Sequence, residues 1–283
     1  MAVTRTEVPV IRAGPEAGPE AGPEAGPERA STGPVVARAL RLLEAFSDER
    51  PTLTLSEISR RSGVPLSTAH RLVAELEVWG AVERDPAGRY QVGLRLWEVG
   101  ALAPRGPGLR ERALPYLEDL CAVTRENVQL AVREDDEIVY VERLAGTRAV
   151  GVHIRVGGRW AMTATGVGLV LLAHAPPDVV ERVLEGPFPR HTPWTLTDPA
   201  RIRETLAAVR TRGYAVSERQ ITTDATSVAA PVRDASGEVV AALSVVAHHG
   251  PAVAGLAPLV RTSAGGVSHA LAAGRARRPA RPR

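Results

Sequence analysis

The sequence predicts an α+β protein of two domains, and three observations support this prediction. Its 283 residues are enough for two hydrophobic cores. Residues 34–93 show the patterns of short helices followed by a small hairpin, whereas residues 109–274 alternate helices with strands. A Gly/Pro-rich stretch at 103–108 separates them, so we expect a linker helix over Leu94–Leu102 and a hinge, together spanning 94–108.

Both ends of the chain predict disordered segments. Ala13–Glu28 repeats Ala-Gly-Pro-Glu four times, and proline and glycine at this density prevent a helix while offering no apolar surface to bury. We therefore expect a disordered arm over 1–33. The arginine- and proline-rich segment 275–283 predicts a basic disordered tail.

Composition excludes several classes of protein. The chain has no apolar run long enough to span a membrane and no apolar leader at its start, which favours a cytoplasmic protein without a membrane partner. A single cysteine excludes an internal disulfide framework. The formal charge is +3, but it becomes −2 without the five arginines after Gly274, so bulk charge does not indicate nucleic-acid binding.

Residues 34–93 fit a winged helix-turn-helix. The first helix, Val35–Ser47, carries apolar residues at helical spacing: Val36, Ala39, Leu40, Leu43 and Phe46. Thr54 followed three residues later by Glu57 is the pattern of a capping box at the start of a second helix. Gly63 ends that helix and Pro65 starts the next. Asp85-Pro-Ala-Gly88 is a turn between two short strands, which predicts a hairpin wing.

The third helix, from about Leu66 to Trp79, has the charge layout of a recognition helix. Its first two turns present small, polar or basic side chains: Ser67, Thr68, His70 and Arg71. Its carboxylates, Glu75 and Glu77, come later, where they would not repel phosphates. We predict DNA contacts from this first half and from wing arginines, Arg84 or Arg89. The alternative is a three-helix protein-interaction module.

Residues 109–274 predict a mixed domain. We expect helices over Leu109–Asn127, Gly166–His174, Pro177–Glu185, Pro199–Arg212 and Leu256–Ala273. We expect strands over Val128–Arg133, Glu137–Leu144, Val150–Val156, Ser227–Arg233 and Val239–Ala247. Cys121 falls on the inward face of the first of these helices and is predicted to be a core thiol.

No pattern in the sequence is typical of a catalytic centre. A phosphate loop with lysine, a Gly-x-Ser-x-Gly elbow and a Ser-x-x-Lys motif are all missing. The adjacent pair His248 and His249 has no acidic or cysteine partners at metal-binding spacing. We predict no catalytic residues, no metal site and no cofactor. An enzyme is kept as an alternative hypothesis.

One segment suggests a ligand site. Trp160–Gly168 is rich in small residues and leads into the apolar helix Leu169–Ala173. The free N–H groups and the positive end of the dipole at such a helix start suit a carboxylate. Ordinary close packing of small residues is the alternative.

The chain resembles the IclR family of bacterial transcriptional regulators over roughly Val35–Leu271. The matching blocks lie in both regions: Val36-Ala-Arg-Ala-Leu-Arg-Leu-Leu43, Leu55-Ser-Glu-Ile-Ser-Arg-Arg-Ser-Gly63, Ser67-Thr-Ala-His-Arg-Leu-Val73, Pro115-Tyr-Leu-Glu-Asp-Leu120, Val209-Arg-Thr-Arg-Gly-Tyr-Ala215 and Val228-Ala-Ala-Pro-Val-Arg-Asp-Ala-Ser-Gly237. The resemblance implies an N-terminal domain that binds operator DNA. It also implies a GAF/profilin-like antiparallel-sheet domain that binds a small-molecule effector, and a homodimer or a dimer of dimers.

The resemblance also implies particular contacts. Ser67, Thr68 and Arg71 would meet DNA, with Arg89 on the wing. The effector pocket would be formed by six positions: Gly166, Val167, Ser217, Ser227, Ser244 and Val246. Four positions depart from the family pattern. Leu169 stands where lysine is usual, and Ser217 stands where aspartate is usual. Gln220 replaces the usual glutamate, and Asp224 replaces the usual glycine. These departures predict a less polar or larger effector, or none.

The function predicted from the sequence is a regulator that binds a pseudo-palindromic operator as a dimer. A small molecule in the second domain would modulate its DNA affinity. Two alternatives remain at this point: an enzyme acting in the second domain, and a ligand-independent regulator whose pocket is degenerate.

Overall fold

The computed structural model describes residues 33–47, 49–103, 107–151, 154–250, 253 and 255–276. Two compact units divide between Glu98 and Val99. The predicted arm and tail lie outside the described residues, apart from Gly33 and the last residues of the final helix, which continues to Ala276. The predicted domain bounds stay predictions.

The first unit is a small helical domain with a three-stranded sheet. Its helices are α1 (Val35–Glu44), α2 (Leu55–Ser62) and α3 (Leu66–Trp79), and α4 (Leu94–Gly100) begins within it. Its strands are β1 (Thr52–Leu53), β2 (Val82–Arg84) and β3 (Tyr90–Val92), in the order β1-β3-β2. The predicted wing is confirmed, and β1 adds a strand that the sequence analysis missed.

The capping box of α2 is present as predicted. The backbone N–H of Thr54 donates to the Glu57 carboxylate at 2.8 Å, and the N–H of Glu57 donates to the Thr54 hydroxyl at 3.3 Å. The bond from the Thr54 backbone is the main cause that lowers the pKa of the Glu57 carboxyl. The helix ends at Gly63, whose φ of 67° is left-handed.

The helix α1 differs from its predicted burial. It ends at Glu44, and its buried residues are Leu42 and the following Ala45, while Val36 and Leu40 are exposed. The core of this unit lies on one side of α1 only, where α2 and α3 pack. Leu43 and the following Phe46 pack against this core as predicted, whereas Val36 and Leu40 stay at the surface of this unit.

The second unit is built on a six-stranded antiparallel sheet in the order β6-β5-β4-β9-β8-β7. The strands are β4 (Asn127–Glu134), β5 (Glu137–Leu144), β6 (Arg159–Ala161), β7 (Ala215–Glu218), β8 (Ala225–Arg233) and β9 (Val239–His248). The predicted strand over Val150–Val156 is wrong for its described residues. β6 occupies the sheet edge instead, and β7 was missed because it is only four residues long.

Helices cover both faces of this sheet. They are α5 (Pro107–Thr124), α6 (Gly166–Ala173), α7 (Pro177–Leu184), α8 (Pro199–Arg212) and α9 (Leu256–Ala276). One core joins α6, α7 and α8 to the first face, and a second core joins α5 and α9 to the other. This two-domain α+β arrangement confirms the predicted fold class.

The helix α6 is buried on all sides, which explains why its sequence is apolar all round. Cys121 of α5 packs against the second core, and burial raises the pKa of its thiol. In contrast, Val123 of the same helix is exposed.

Candidate DNA-binding surface and effector pocket

The first half of α3 presents the residues predicted to contact DNA. Ser67, His70 and Arg71 are exposed and Thr68 is half-buried, whereas Ala69, Leu72 and Val73 enter the core. This outcome follows from helical periodicity, since a stripe at i, i+3 and i+4 leaves the other positions facing outward. The exposed face therefore carries hydroxyls, an imidazole and a guanidinium.

Arg71 is held by a contact that DNA could replace. Its Nη1 donates to the Glu75 carboxylate at 2.7 Å, with both side chains more than half exposed. An exposed i, i+4 ion pair of this kind stabilises a helix by only a few tenths of a kcal/mol. Arg71 can therefore leave Glu75 for a phosphate or a base edge at little energetic cost.

The two wing arginines are bound within the fold. Arg89 donates from Nη2 to the Thr52 carbonyl at 2.9 Å and to the Glu57 carboxylate at 3.1 Å. Arg84 donates from Nε to Glu77 at 3.0 Å and lies over the ring of Tyr90. The DNA role of Arg89 stays a prediction, and its present contacts tie the wing to α2.

The second unit contains a partly open cavity of about 50 Å³ between α6 and the sheet. Four of the six positions expected to bind an effector line it: Gly166, Ser217, Ser227 and Val246. The other two lie just outside its lining. Val167 is buried in the first core, and the buried Ser244 hydroxyl donates to Gln129 Oε1 at 3.4 Å. The binding role of all six stays a prediction.

The start of α6 forms one end of the cavity. A Cβ added to Gly166 would lie 2.6 Å from Ser227 Oγ, so only glycine allows the helix to approach β8 this closely. Thr165 caps the helix by accepting from the N–H of Gly168 at 3.0 Å. The first N–H groups of a helix have no intrahelical partner, and the helix dipole favours an anion beside them.

The described lining carries no ionised side chain. Its polar groups are amides and hydroxyls, including Gln129, Tyr140 and Gln220, and its apolar groups include Ile154 and Ile221. Burial raises the pKa of the Tyr140 hydroxyl, which shares a hydrogen bond with Thr165 and remains a neutral donor. The chemistry supported is binding of a small molecule through neutral hydrogen bonds and apolar contact.

Sequence reasoning did not identify Gln129, Tyr140 and Thr222 as lining residues, whereas Thr165 falls within the predicted segment Trp160–Gly168. The one available signal was a glutamine within the apolar run Val128–Val132. An amide in a buried strand usually has a hydrogen-bonding or functional role. Among the described residues, no group of three or more His, Cys, Asp or Glu could hold a metal ion. None of the described helices is long and apolar enough to cross a bilayer.

A winged helix-turn-helix with an open polar helix face, in one chain with a cavity-bearing antiparallel domain, defines a class of protein: the ligand-responsive transcriptional regulators. Comparison with known families agrees. The IclR helix-turn-helix domain matches residues 35–86, and the bacterial transcriptional regulator IclR C-terminal domain matches residues 105–255. The chain belongs to the IclR family, which confirms the family resemblance seen in the sequence.

Individual relatives support this assignment. The chain is 36% identical to the HTH-type transcriptional regulator BhcR of Paracoccus denitrificans, over 74% of this chain and 75% of that protein. It is 31% identical to the regulator KipR of Bacillus subtilis, over 74% and 84%. An IclR homolog from Microbacterium hydrocarbonoxydans, solved in complex with 4-hydroxybenzoate, is 41% identical with a TM-score of 0.79, covering 84% of this chain and 99% of that one.

Proposed function

We propose that this regulator binds a pseudo-palindromic operator in the cytoplasm as a homodimer, or a dimer of dimers, and that an effector in the second unit modulates its DNA affinity. The observation that carries the proposal is the outward face of α3, where Ser67, His70 and Arg71 are exposed and Thr68 is half-buried. A two-fold dimer presents two such helices, and a two-fold protein reads a palindromic site.

Exposed apolar side chains in the first unit support the dimer. Val36 and Leu40 lie one turn apart on α1, and Leu94 and Trp97 lie one turn apart on α4, all more than half exposed. Apolar stripes of this kind on a soluble domain mark interfaces, because leaving them in water is unfavourable. A second copy of the chain is the partner that covers them in this proposal.

The cavity supports an effector of the small aromatic acid class. Its lining sets apolar side chains between a few neutral polar ones, as is typical of small-molecule sites, and includes the start of α6. The related Microbacterium protein is in complex with 4-hydroxybenzoate, which makes this acid the first probe. To modulate DNA binding, the effector must prefer one arrangement of the dimer, since equal affinity for both arrangements shifts nothing.

The deciding experiment is in vitro selection of genomic DNA fragments by the full-length protein at near-physiological salt. We expect enrichment of a pseudo-palindrome whose affinity changes when 4-hydroxybenzoate is added. Salt-sensitive binding without an enriched sequence would mean that only phosphate attraction operates, and would contradict the proposal.

The same preparation separates this proposal from its two alternatives. A regulator returns the bound acid unchanged, so chromatographic loss of the probe during incubation would favour an enzyme. An enriched operator whose affinity no aromatic acid changes would favour the ligand-independent regulator. The open cavity supports the ligand-responsive form.

A further inference from the structure

Gln129 places an amide in the effector pocket with one half of its hydrogen bonding unused. The residue lies on β4, is 1% exposed and lines the cavity. Its Oε1 accepts from the Ser244 hydroxyl at 3.4 Å, whereas its buried Nε2 has no hydrogen-bond partner among the described residues. A buried donor without a partner destabilises a fold, and such groups are uncommon away from functional sites.

The strand register separates this amide from the point where Gly166 of α6 meets β8. Gly166 approaches Ser227 on β8, while Gln129 pairs with Ser244 on β9 and belongs to β4. β9 separates the other two strands, so the two positions are about two strand spacings, roughly 10 Å, apart across the sheet. That interval fits one aromatic ring with a polar group at each end.

We propose that Gln129 is a specificity-determining residue of the pocket, and that its Nε2 donates to a neutral oxygen at the end of the effector remote from α6. The carboxylate at the other end meets the free N–H groups of the α6 start, and the ring lies along Ile154, Ile221 and Val246. The inference rests on the proposed function, because it requires an effector in this cavity. It narrows the class of effectors to short carboxylic acids that carry an oxygen acceptor at the end opposite the carboxylate.

Calorimetric titration of the full-length protein with 4-hydroxybenzoate and with benzoate tests this assignment. The acids differ only in the oxygen that Gln129 would contact. A site built to hydrogen-bond an oxygen rejects the analogue without it, so we expect the wild type to prefer 4-hydroxybenzoate by about tenfold or more. Gln129→Met has similar length and no donor, and we expect it to bind the two acids within about twofold of each other.

Gln91→Met is the matched control. It makes the same substitution on β3, outside the cavity, where the Gln91 Nε2 donates to the Glu83 carboxylate at 2.8 Å. We expect this variant to keep the preference of the wild type. A Gln129→Met protein that retains the full preference, or a wild type without any preference, overturns the role of Gln129.

A wild type that binds neither acid overturns the assigned effector class. Operator binding measured on the same preparation then shows whether the DNA-binding half of the proposed function fails as well.

Thermal unfolding gives a readout that needs no ligand. Gln129→Met combined with Ser244→Ala replaces both members of the pair by apolar groups, which removes the unpaired donor without leaving a new one. We expect Tm to rise by about 2 °C or more, because a residue that is retained for function can lower the stability of the fold. A fall in Tm of similar size would show that the amide is structural and would overturn the proposal.

Discussion

The candidate DNA-binding arginines differ in how firmly their guanidinium groups are already bound within the fold. The guanidinium of Arg89 is bound to Thr52 and Glu57, so a nucleic acid would have to break internal contacts to engage it. Arg71 has only an exposed ion pair with Glu75. Between the two arginines, Arg71 is therefore the better candidate for reading a base.

Replacing Arg71 by alanine should weaken specific operator binding by about 1–3 kcal/mol and relax sequence preference at one position, because a base-reading arginine carries both effects. Fluorescence anisotropy on the selected operator and on single-base variants measures both. The control is Glu75→Ala, which removes the competing carboxylate and should leave affinity equal or higher. Unchanged affinity and preference in Arg71→Ala would remove this arginine from the readout.

Adding a methyl group at Gly166 should close one end of the effector pocket. The new Cβ would lie 2.6 Å from Ser227 Oγ, and overpacking of this kind costs about 1–3 kcal/mol, here at the proposed carboxylate site. We expect Gly166→Ala to lose most affinity for 4-hydroxybenzoate in a calorimetric titration while keeping operator binding. Gly265→Ala on α9, where nothing lies within 4 Å, is the control. Undiminished affinity in Gly166→Ala would argue against an effector seated at the α6 start.

At the scale of elements, the capping box connects α2 to the wing. Glu57 accepts from the Thr54 backbone, and it also accepts from Arg89, the residue that precedes β3. One carboxylate thus stabilises the start of a helix and fixes the hairpin beside it. Glu57 is three residues from Thr54 in the sequence but 32 residues from Arg89.

Thr54→Ala should destabilise the start of α2 by about 1 kcal/mol, because the N–H of Glu57 loses its acceptor. Hydrogen exchange of α2 amides in the full-length protein, followed by mass spectrometry, should show protection reduced by about fivefold. Thr54→Ser keeps the hydroxyl and should restore protection. Equal protection in all three proteins would mean that tertiary packing alone holds this helix end.

At the scale of the whole molecule, the first unit buries its apolar residues unequally. Its core collects Leu42, Leu53, Ile58 and Leu72, yet Leu40 and Trp97 remain in water. The core of the first unit is complete within one chain, so the exposed apolar residues are not needed for it to fold. The proposed interface between two copies would account for them.

Leu40→Glu together with Trp97→Arg should weaken self-association at least about tenfold, since each change puts a charge where the proposed interface excludes water. Sedimentation velocity over a dilution series measures the monomer–dimer equilibrium. Val123→Glu, a similarly exposed apolar position on α5, should leave the protein dimeric. A double variant that dissociates no more readily than wild type would exclude this surface as the interface.

The local features of the fold were predictable because their causes are local. The capping box at Thr54, the helix end at Gly63 and the wing turn at Asp85–Gly88 each depend on residues within a few positions of one another. The stripe that buries Ala69, Leu72 and Val73 also fixed which side of α3 faces outward. The blocks that carry the family resemblance, such as Val36–Leu43 and Ser67–Val73, are likewise short stretches of sequence.

What the sequence could not determine depends on contacts between distant residues. Whether Val36 or Leu42 of α1 enters the core is decided by where α2 and α3 pack, since both residues are apolar. The same holds for the edge strand β6, which pairs with β5, whereas the sequence predicted a strand over Val150–Val156 instead.

The sequence by itself determined the class of each domain, the outward face of α3 and the general region of the pocket, because helical periodicity and turn chemistry act over a few residues. Only the tertiary structure decided the composition of that pocket. Gln129 and Ser217 lie 88 positions apart, and they line one cavity only because β4 and β7 join the same sheet around β9 and β8. Strand order is set by the packing of the whole domain, and no local pattern encodes it.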